Sequence, residues 1–279
     1  MKMFFFQLRN ELWKLFGKKR TYIGFGILLL TQFLVSTLFR YTHAARPLER
    51  VLAINGHSAT DYISVLTIAT YTLLPLNDLL LPLYVCLIGG DLVAKESEDG
   101  TLRMILSRPI SRIRLLLVKW LTGFIFSAAL ITSLGVFGLF FAEIYFPWGK
   151  LSYWNPVLNI FGVFDGGAGL ERYVIAHLVI VVGAFFIMSL AFMFSCFNIK
   201  PAAATILALS FLFANVILEK LFSDYQEWFV TYHTHVWQWF FMEKIPWWQV
   251  GESLSVLIGG SLTFLIVGCV TFQMRDFKT

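Results

Sequence analysis

Residues 94–119 read AKESEDGTLRMILSRPISRIRLLLVK, and their charge sets them apart from the chain on either side. Nine of the chain's 22 basic and 17 acidic residues fall in this stretch, with mostly apolar runs before and after it. Across the whole chain 58% of residues are hydrophobic and 14% charged, with mean hydropathy +0.72. Soluble domains are about 45–50% apolar and about 25% charged. The excess points to an all-α integral membrane protein rather than a soluble one- or two-domain protein. The net charge of +5 then reads as topology, not as nucleic-acid binding, because Lys and Arg collect on the cytoplasmic side of spans. Cys86, Cys196 and Cys269 each lie in an apolar run, form no metal-ligand spacing and read as packing residues.

A hydrocarbon core about 30 Å thick takes about 20 helical residues. Six stretches qualify: 22–39, 71–93, 115–142, 174–197, 201–218 and 253–274. The first lacks a small-residue cleavage site after it and reads as a retained span. Six spans put both termini on one side, together with the 94–114 loop and the Asn198–Pro201 turn, where Pro suits the first turn of a helix. That side carries 15 Lys and Arg against seven on the other, which predicts cytoplasmic termini in a cytoplasmic (inner) membrane. Before the first span, residues 1–20 place Phe4, Phe5, Leu8, Leu12, Trp13, Leu15 and Phe16 at helical spacing, with Arg9, Asn10, Glu11 and Lys14 elsewhere. The pattern predicts an amphipathic helix in the headgroup layer, or equally a basic anchor that only sets topology. The aromatic-rich external segment 219–252, with five tryptophans, is expected to lie on or dip into the outer leaflet, or to pack as a lid.

Within 94–114, Glu96, Glu98 and Asp99 precede Arg103, the order that complements a helix dipole. Arg108 stands before Pro109 and is pushed away from α geometry, so a break is predicted there. Ser111 is placed to cap the helix beginning at Arg112. A short helix, a corner and a span make a protruding element with both charge signs, beyond what a solvated charge run provides.

Glu96-x-Glu98-Asp99-Gly100-Thr101-Leu102, then Leu106-Ser107-Arg108-Pro109-Ile110-Ser111-Arg112 and Lys119, resembles the cytoplasmic signature of ABC-2-type permeases, the membrane subunits of ATP-binding-cassette exporters. The basic N-terminal helix and six-span plan extend the resemblance over nearly the whole chain, the external segment apart. It implies a permease dimer (with an identical or a pseudo-symmetric copy) on separate cytoplasmic ATPase subunits that bind ATP and Mg. It also implies a coupling helix over 94–112 in an ATPase groove, with Glu96, Glu98, Gly100, Thr101, Leu102, Pro109, Ser111 and Arg112 at the interface. The chain has no phosphate-binding loop of its own. Gly17-Lys18 and Gly149-Lys150 lack both the following Ser or Thr and the preceding Gly.

Asp78, beside Asn77 and between Pro75 and Pro82, is the most costly side chain in a span and marks either a pathway or a span displaced toward the headgroups. Asn215 and Glu219, one turn apart, are expected to share a face lining a cavity or bonding another helix. These four form the expected translocation path. His233 and His235 make a weak metal pattern, and His177 is expected to reach water near a span end. Export of an amphipathic cargo (a lipid, peptide or drug) is the leading expectation. The alternatives are an integral-membrane lipid-modifying enzyme and a non-transporting scaffold on an ATPase, with membrane lipids as neighbours in every case.

Overall fold

Apolar runs too long for a soluble core satisfy their backbone polar groups internally by becoming helices, the economical solution in hydrocarbon. The computed structural model describes residues 2–107 and 110–275, and the protein is an all-α integral membrane protein. Helix α1 (Lys2–Phe16) is followed by α2 (Lys19–Tyr41), short helices α3 (Arg46–Ile54) and α4 (Ala59–Tyr62), and α5 (Val65–Pro75). A π-helical turn, Leu76–Leu80, joins α5 to α6 (Leu81–Glu98), after which come α7 (Thr101–Leu106) and α8 (Arg112–Glu143). A hairpin of β1 (Leu151–Asn155) and β2 (Ile160–Phe164) precedes α9 (Gly166–Ser195) and α10 (Pro201–Leu221). Two 3-10 turns flank α11 (Val230–Thr234) before α12 (Trp247–Gln273). Among the described residues six helical segments are long and apolar enough to cross a membrane: α2, the α5–α6 unit, α8, α9, α10 and α12.

These helices overrun the expected span limits. The second runs Val65–Glu98 and the third Arg112–Glu143, because polar and charged residues continue the same helices beyond the apolar run. Helix α9 is the hub, with 72% of its apolar window buried against 22% for α2, α10 and α12. It packs on α6, α8, α10 and α12. The peripheral helices turn rows such as Ile206 and Ile217, or Ile258, Leu262 and Ile266, outward. Helix α2 comes so close to α6 at Gly24 that a Cβ there would sit 2.0 Å from the Tyr84 ring. The Tyr84 hydroxyl donates to the Thr21 carbonyl at the same crossing.

One proline explains the π turn. Pro82 has no N–H to offer the Asp78 carbonyl and its ring crowds that group, so the ladder widens over Leu76–Leu80. At the end away from the termini, β1 and β2 pair antiparallel, with Leu151 opposite Phe164 and Asn155 opposite Ile160. Side chains of α5 hold β1: Tyr71 Oη accepts from Trp154 N at 2.9 Å and Thr67 Oγ1 from Ser152 N at 2.9 Å. Leu48, Leu52 and Tyr62 make a small second core under this cap.

The segment 219–252 divides between its two expected roles. Trp237 is fully buried and Trp239 8% exposed, both in the packed cap, whereas Trp228, Trp247 and Trp248 face outward.

Candidate functional site

Two groups of functional side chains stand at opposite ends of the molecule. At the end carrying the termini, α6 stops because Gly100 takes φ +73°, a left-handed conformation that favours glycine. Thr101 Oγ1 donates to the Glu96 carbonyl at 3.3 Å, satisfying a group left open by the helix end. Leu102 is buried and anchors α7, while Arg103 and Met104 point outward. The corner at Arg108 and Pro109 lies outside the described residues. Ser111 does occupy the N-cap position of α8, but its side chain makes no capping bond and is exposed.

Glu96 was expected to face a partner, and instead it turns inward. Its carboxylate meets Lys119 Nζ at 2.9 Å and Lys14 Nζ at 3.1 Å. Glu11 closes the ring, accepting from Lys119 at 2.7 Å and from Lys14 at 2.6 Å. Lys119 is 1% exposed, so α1, α6 and α8 meet on one buried ammonium. Burial pushes the Glu11 carboxyl up, but Lys119 and Lys14 outweigh it and hold the group below its ordinary 4.5. Burial likewise pulls Lys14 down, and Glu11 and Glu96 outweigh that to raise it above 10.5. Arg20 pairs with Asp91 alongside. On helix α1, Glu11 faces the protein while Phe5, Phe6 and Trp13 are exposed.

Arg112 also works within the chain, donating to the carbonyls of Gln273 at 3.1 Å and Arg275 at 3.2 Å. Arg275 in turn reaches Ser97 Oγ at 2.9 Å, Asn198 Oδ1 at 2.9 Å and the Cys196 carbonyl at 3.2 Å. The elbow is thus fastened to α1 through Lys14, to α8 through Lys119, and to Arg275 just after α12 through Ser97. It presents Glu98, Asp99, Gly100, Arg103, Met104, Ser107 and Ser111 outward, with Lys95 bridging Glu98 at 2.8 Å.

At the opposite end a cavity of about 640 Å³ lies between the π turn, α9, α10, the hairpin tip and α11. Asn77, Asp78 and Glu219 line it together, although residues 78 and 219 are far apart in sequence. Asn215 does not line it: its amide donates to the Phe211 carbonyl of its own helix at 2.9 Å. Lys220, His235, Gln238, Asn155, Thr231 and Thr234 complete the polar wall, and Leu209, Leu212, Phe213, Val216 and Ile187 the apolar one. Glu219 accepts from the Thr231 hydroxyl. Gln238 Oε1 accepts from Tyr153 Oη at 2.7 Å and Asn155 Nδ2 at 2.6 Å, which turns its amide nitrogen toward His235 Nδ1 at 3.4 Å.

The histidine pair separates. His233 uses both ring nitrogens, Nε2 against the Glu227 carbonyl at 3.0 Å and Nδ1 against Ser253 Oγ at 2.9 Å. A carbonyl only accepts, so Nε2 carries the proton and Nδ1 receives the Ser253 hydroxyl. Burial lowers this imidazole against the opposing pull of the Glu227 carbonyl. Among the described residues no three His, Cys, Asp or Glu converge as metal ligands. His177 is buried against Tyr173, Nδ1 2.8 Å from that residue's carbonyl, and does not reach water.

Sequence reasoning named Glu11 and Lys119 without pairing them, and gave Arg275 no role. A lone Lys within an apolar span was the available signal for Lys119, because a buried cation there requires acidic partners.

A family model described as a protein of unknown function (DUF2705) matches residues 33–278, and the chain belongs to that family. It is also similar to the uncharacterized protein YhcI of Bacillus subtilis (strain 168), 27% identical over 118 residues. That match covers 40% of this chain and 36% of the relative, so the two correspond over about a third of the relative's length.

Proposed function

We propose that this member of the unknown-function family is the membrane subunit of an ABC-2-type exporter, coupling ATP hydrolysis on a separate chain to movement of an amphipathic cargo. The observation that carries the reading is the elbow of residues 95–107. It is a short helix set at a left-handed glycine, and its base is tied through Glu96 to Lys14 and Lys119 and through Ser97 to Arg275. On its outer surface Glu98 and Asp99 pair, among the described residues, with Lys95, while Arg103 and Met104 face outward. Such an element suits a docking lever better than a tether. ATP and Mg belong to the ATPase partner in this reading, and a second permease copy completes the assembly. The bias of 15 Lys and Arg to seven supports cytoplasmic termini in a cytoplasmic membrane. Exposed Phe5, Phe6 and Trp13 support α1 as the interfacial helix among lipid headgroups.

The lever has a defined reach. Helix α6 has 18 residues, about 27 Å at 1.5 Å rise, and runs unbroken from the elbow to the π turn that carries Asp78. The π turn is the compliant point of that rod. A push on α7 moves Glu96, and through Lys119 and Glu11 it carries α1 and the start of α8 with it. The cavity end then opens or closes as α6 shifts against α9 and α10.

A photo-cross-linker replacing Met104 tests the dock in native membranes. Capture of a phosphate-loop ATPase from Met104, and none from a probe at Trp228, is the expected result. No ATPase at either position contradicts the reading. The rival with an observation of its own is a membrane enzyme, because Asp78 Oδ1 and His235 Nδ1 stand 3.7 Å apart in one cavity. Turnover of a lipid by the purified chain alone, lost on Asp78→Ala, would favour that rival.

A further inference from the structure

We propose that the outer cavity binds amphiphilic cations, with one positively charged group against Asp78 and an apolar body of drug size between the π turn and α10. This names the cargo class for the exporter reading and rests on it only for the word cargo, since the binding itself requires no ATPase.

Volume comes first. Small-molecule sites typically measure about 300–1,000 Å³, and this cavity of about 640 Å³ falls in the middle of that range. Its wall has two parts, as such a site requires: a few converging polar groups near Asp78, and the aliphatic and aromatic side of α10 with Leu209, Leu212 and Phe213.

Charge selects the ligand. Asp78 and Glu219 outnumber Lys220 in the lining, and the two carboxylates differ in how far the chain already satisfies them. Glu219 holds the Thr231 hydroxyl. Asp78 has Asn77 beside it as a hydrogen-bond donor, and its side chain is 53% exposed, toward the cavity it lines. Among the described residues its only ion-pair contact is His235 Nδ1 at 3.7 Å, beyond hydrogen-bond length.

That contact is further weakened from the other side. Tyr153 and Asn155 both donate to Gln238 Oε1, so the Gln238 amide points its N–H at His235 Nδ1. A ring nitrogen that accepts this bond has no proton to give Asp78. The hydrogen-bond chain from β1 thus holds His235 Nδ1 as an acceptor on the side where it stands beside the carboxylate. The result is an ionisable group in a membrane segment, presented to an apolar-walled space, without a committed cation. A ligand ammonium or phosphonium supplies the missing charge, and Phe213 adds a ring face for it. An anion meets two carboxylates instead.

The probes are tetraphenylphosphonium and tetraphenylborate, nearly equal in shape and opposite in charge. The full chain in phosphatidylcholine nanodiscs is dialysed to equilibrium against each labelled ion, with empty nanodiscs subtracted. Saturable phosphonium binding is expected, with the borate weaker by about tenfold or more. Asp78→Asn should weaken phosphonium about tenfold, the loss of one charge partner from a half-enclosed site. Gly183 lines the cavity and its added Cβ would meet only the Thr234 carbonyl, at 3.9 Å, so Gly183→Leu fills the space and should displace the cation without changing any charge.

If Asp78→Asn does not fold, Lys220→Glu decides the matter: phosphonium should bind about threefold tighter or better. Equal binding of both ions, non-saturable uptake, or a cation affinity indifferent to Asp78→Asn (or to Lys220→Glu in its place) overturns the proposal. The two readings fail separately. Phosphonium binding without an attached ATPase sinks the exporter alone, and an attached ATPase without phosphonium binding sinks the cavity assignment alone.

Discussion

The two ends of the molecule use the same residue types in opposite ways. At the termini end, Glu11, Lys14, Glu96 and Lys119 form a closed ring in which every carboxylate touches two ammonium groups. At the cavity end, Asp78 and Glu219 share one space with Lys220 and no such ring forms. A saturated charge group holds helices together, whereas an unsaturated one keeps free energy for a ligand. The contrast separates a transmitting end from a receiving one.

Several substitutions break or sharpen this contrast. The largest effect belongs to Lys119→Met, which removes the buried counter-charge and leaves Glu11 and Glu96 to share the part-exposed Lys14. A loss of about 3–5 kcal/mol is expected for removing one partner of a buried pair, read as a fall in thermal stability in detergent. The triple variant Glu11→Gln, Glu96→Gln, Lys119→Met should recover most of it, because no buried charge is left unpaired. If the single variant is neutral, the ring is not a lock.

Acid should loosen the same ring. The Glu11 carboxyl is held below its ordinary 4.5, so its contribution is complete above that value and is lost as pH falls through the folded value. Hydrogen exchange over residues 2–16 should therefore stay slow near neutrality and accelerate below about pH 4.5, before the spans themselves exchange. At the alkaline side, Lys14 is raised above 10.5, and its share persists until pH passes that folded value.

Asp78→Asn gives the complementary result. Removing a poorly paired carboxylate should change stability by no more than about 1 kcal/mol while cation binding falls, a separation that thermal unfolding and dialysis report independently. A large loss of stability would make Asp78 a structural residue like Glu96. Smallest of all is Lys95→Ala, whose pairs with Glu98 and Asp99 are exposed and screened by water, so the variant should unfold at the same temperature as the wild type.

Much of the architecture was legible because hydrocarbon thickness converts directly into run length, so the spans announce themselves locally. Pro75 and Pro82 likewise marked the irregular turn at Asp78. The side that closes the ring was less accessible. Glu11 and Lys119 are 108 residues apart, and a helical pattern such as that of α1 states which residues share a face without stating which face the protein takes. The hairpin was missed for a related reason. Its strands have only five residues each, and β1 is held by hydroxyls of Tyr71 and Thr67 from α5, partners that no local pattern displays. The tryptophans of the external segment divided because composition places aromatic rings near an interface but does not distinguish a cap from a belt. Asn215 and Glu219 are one turn apart, yet the cavity takes only Glu219, since Asn215 bonds back to its own helix.

The most direct measurement of the central claim is purification of the tagged chain from its native membrane in mild detergent, beside the double variant Arg103→Glu, Met104→Asp. Both substitutions lie on the exposed face of α7 and leave the Glu11–Lys119 ring untouched. A soluble phosphate-loop ATPase in stoichiometric amount with the wild type, and lost from the variant while both chains unfold at the same temperature, is the predicted result. A wild-type chain that brings no ATPase, or a variant that keeps it in full, would contradict the elbow as a dock.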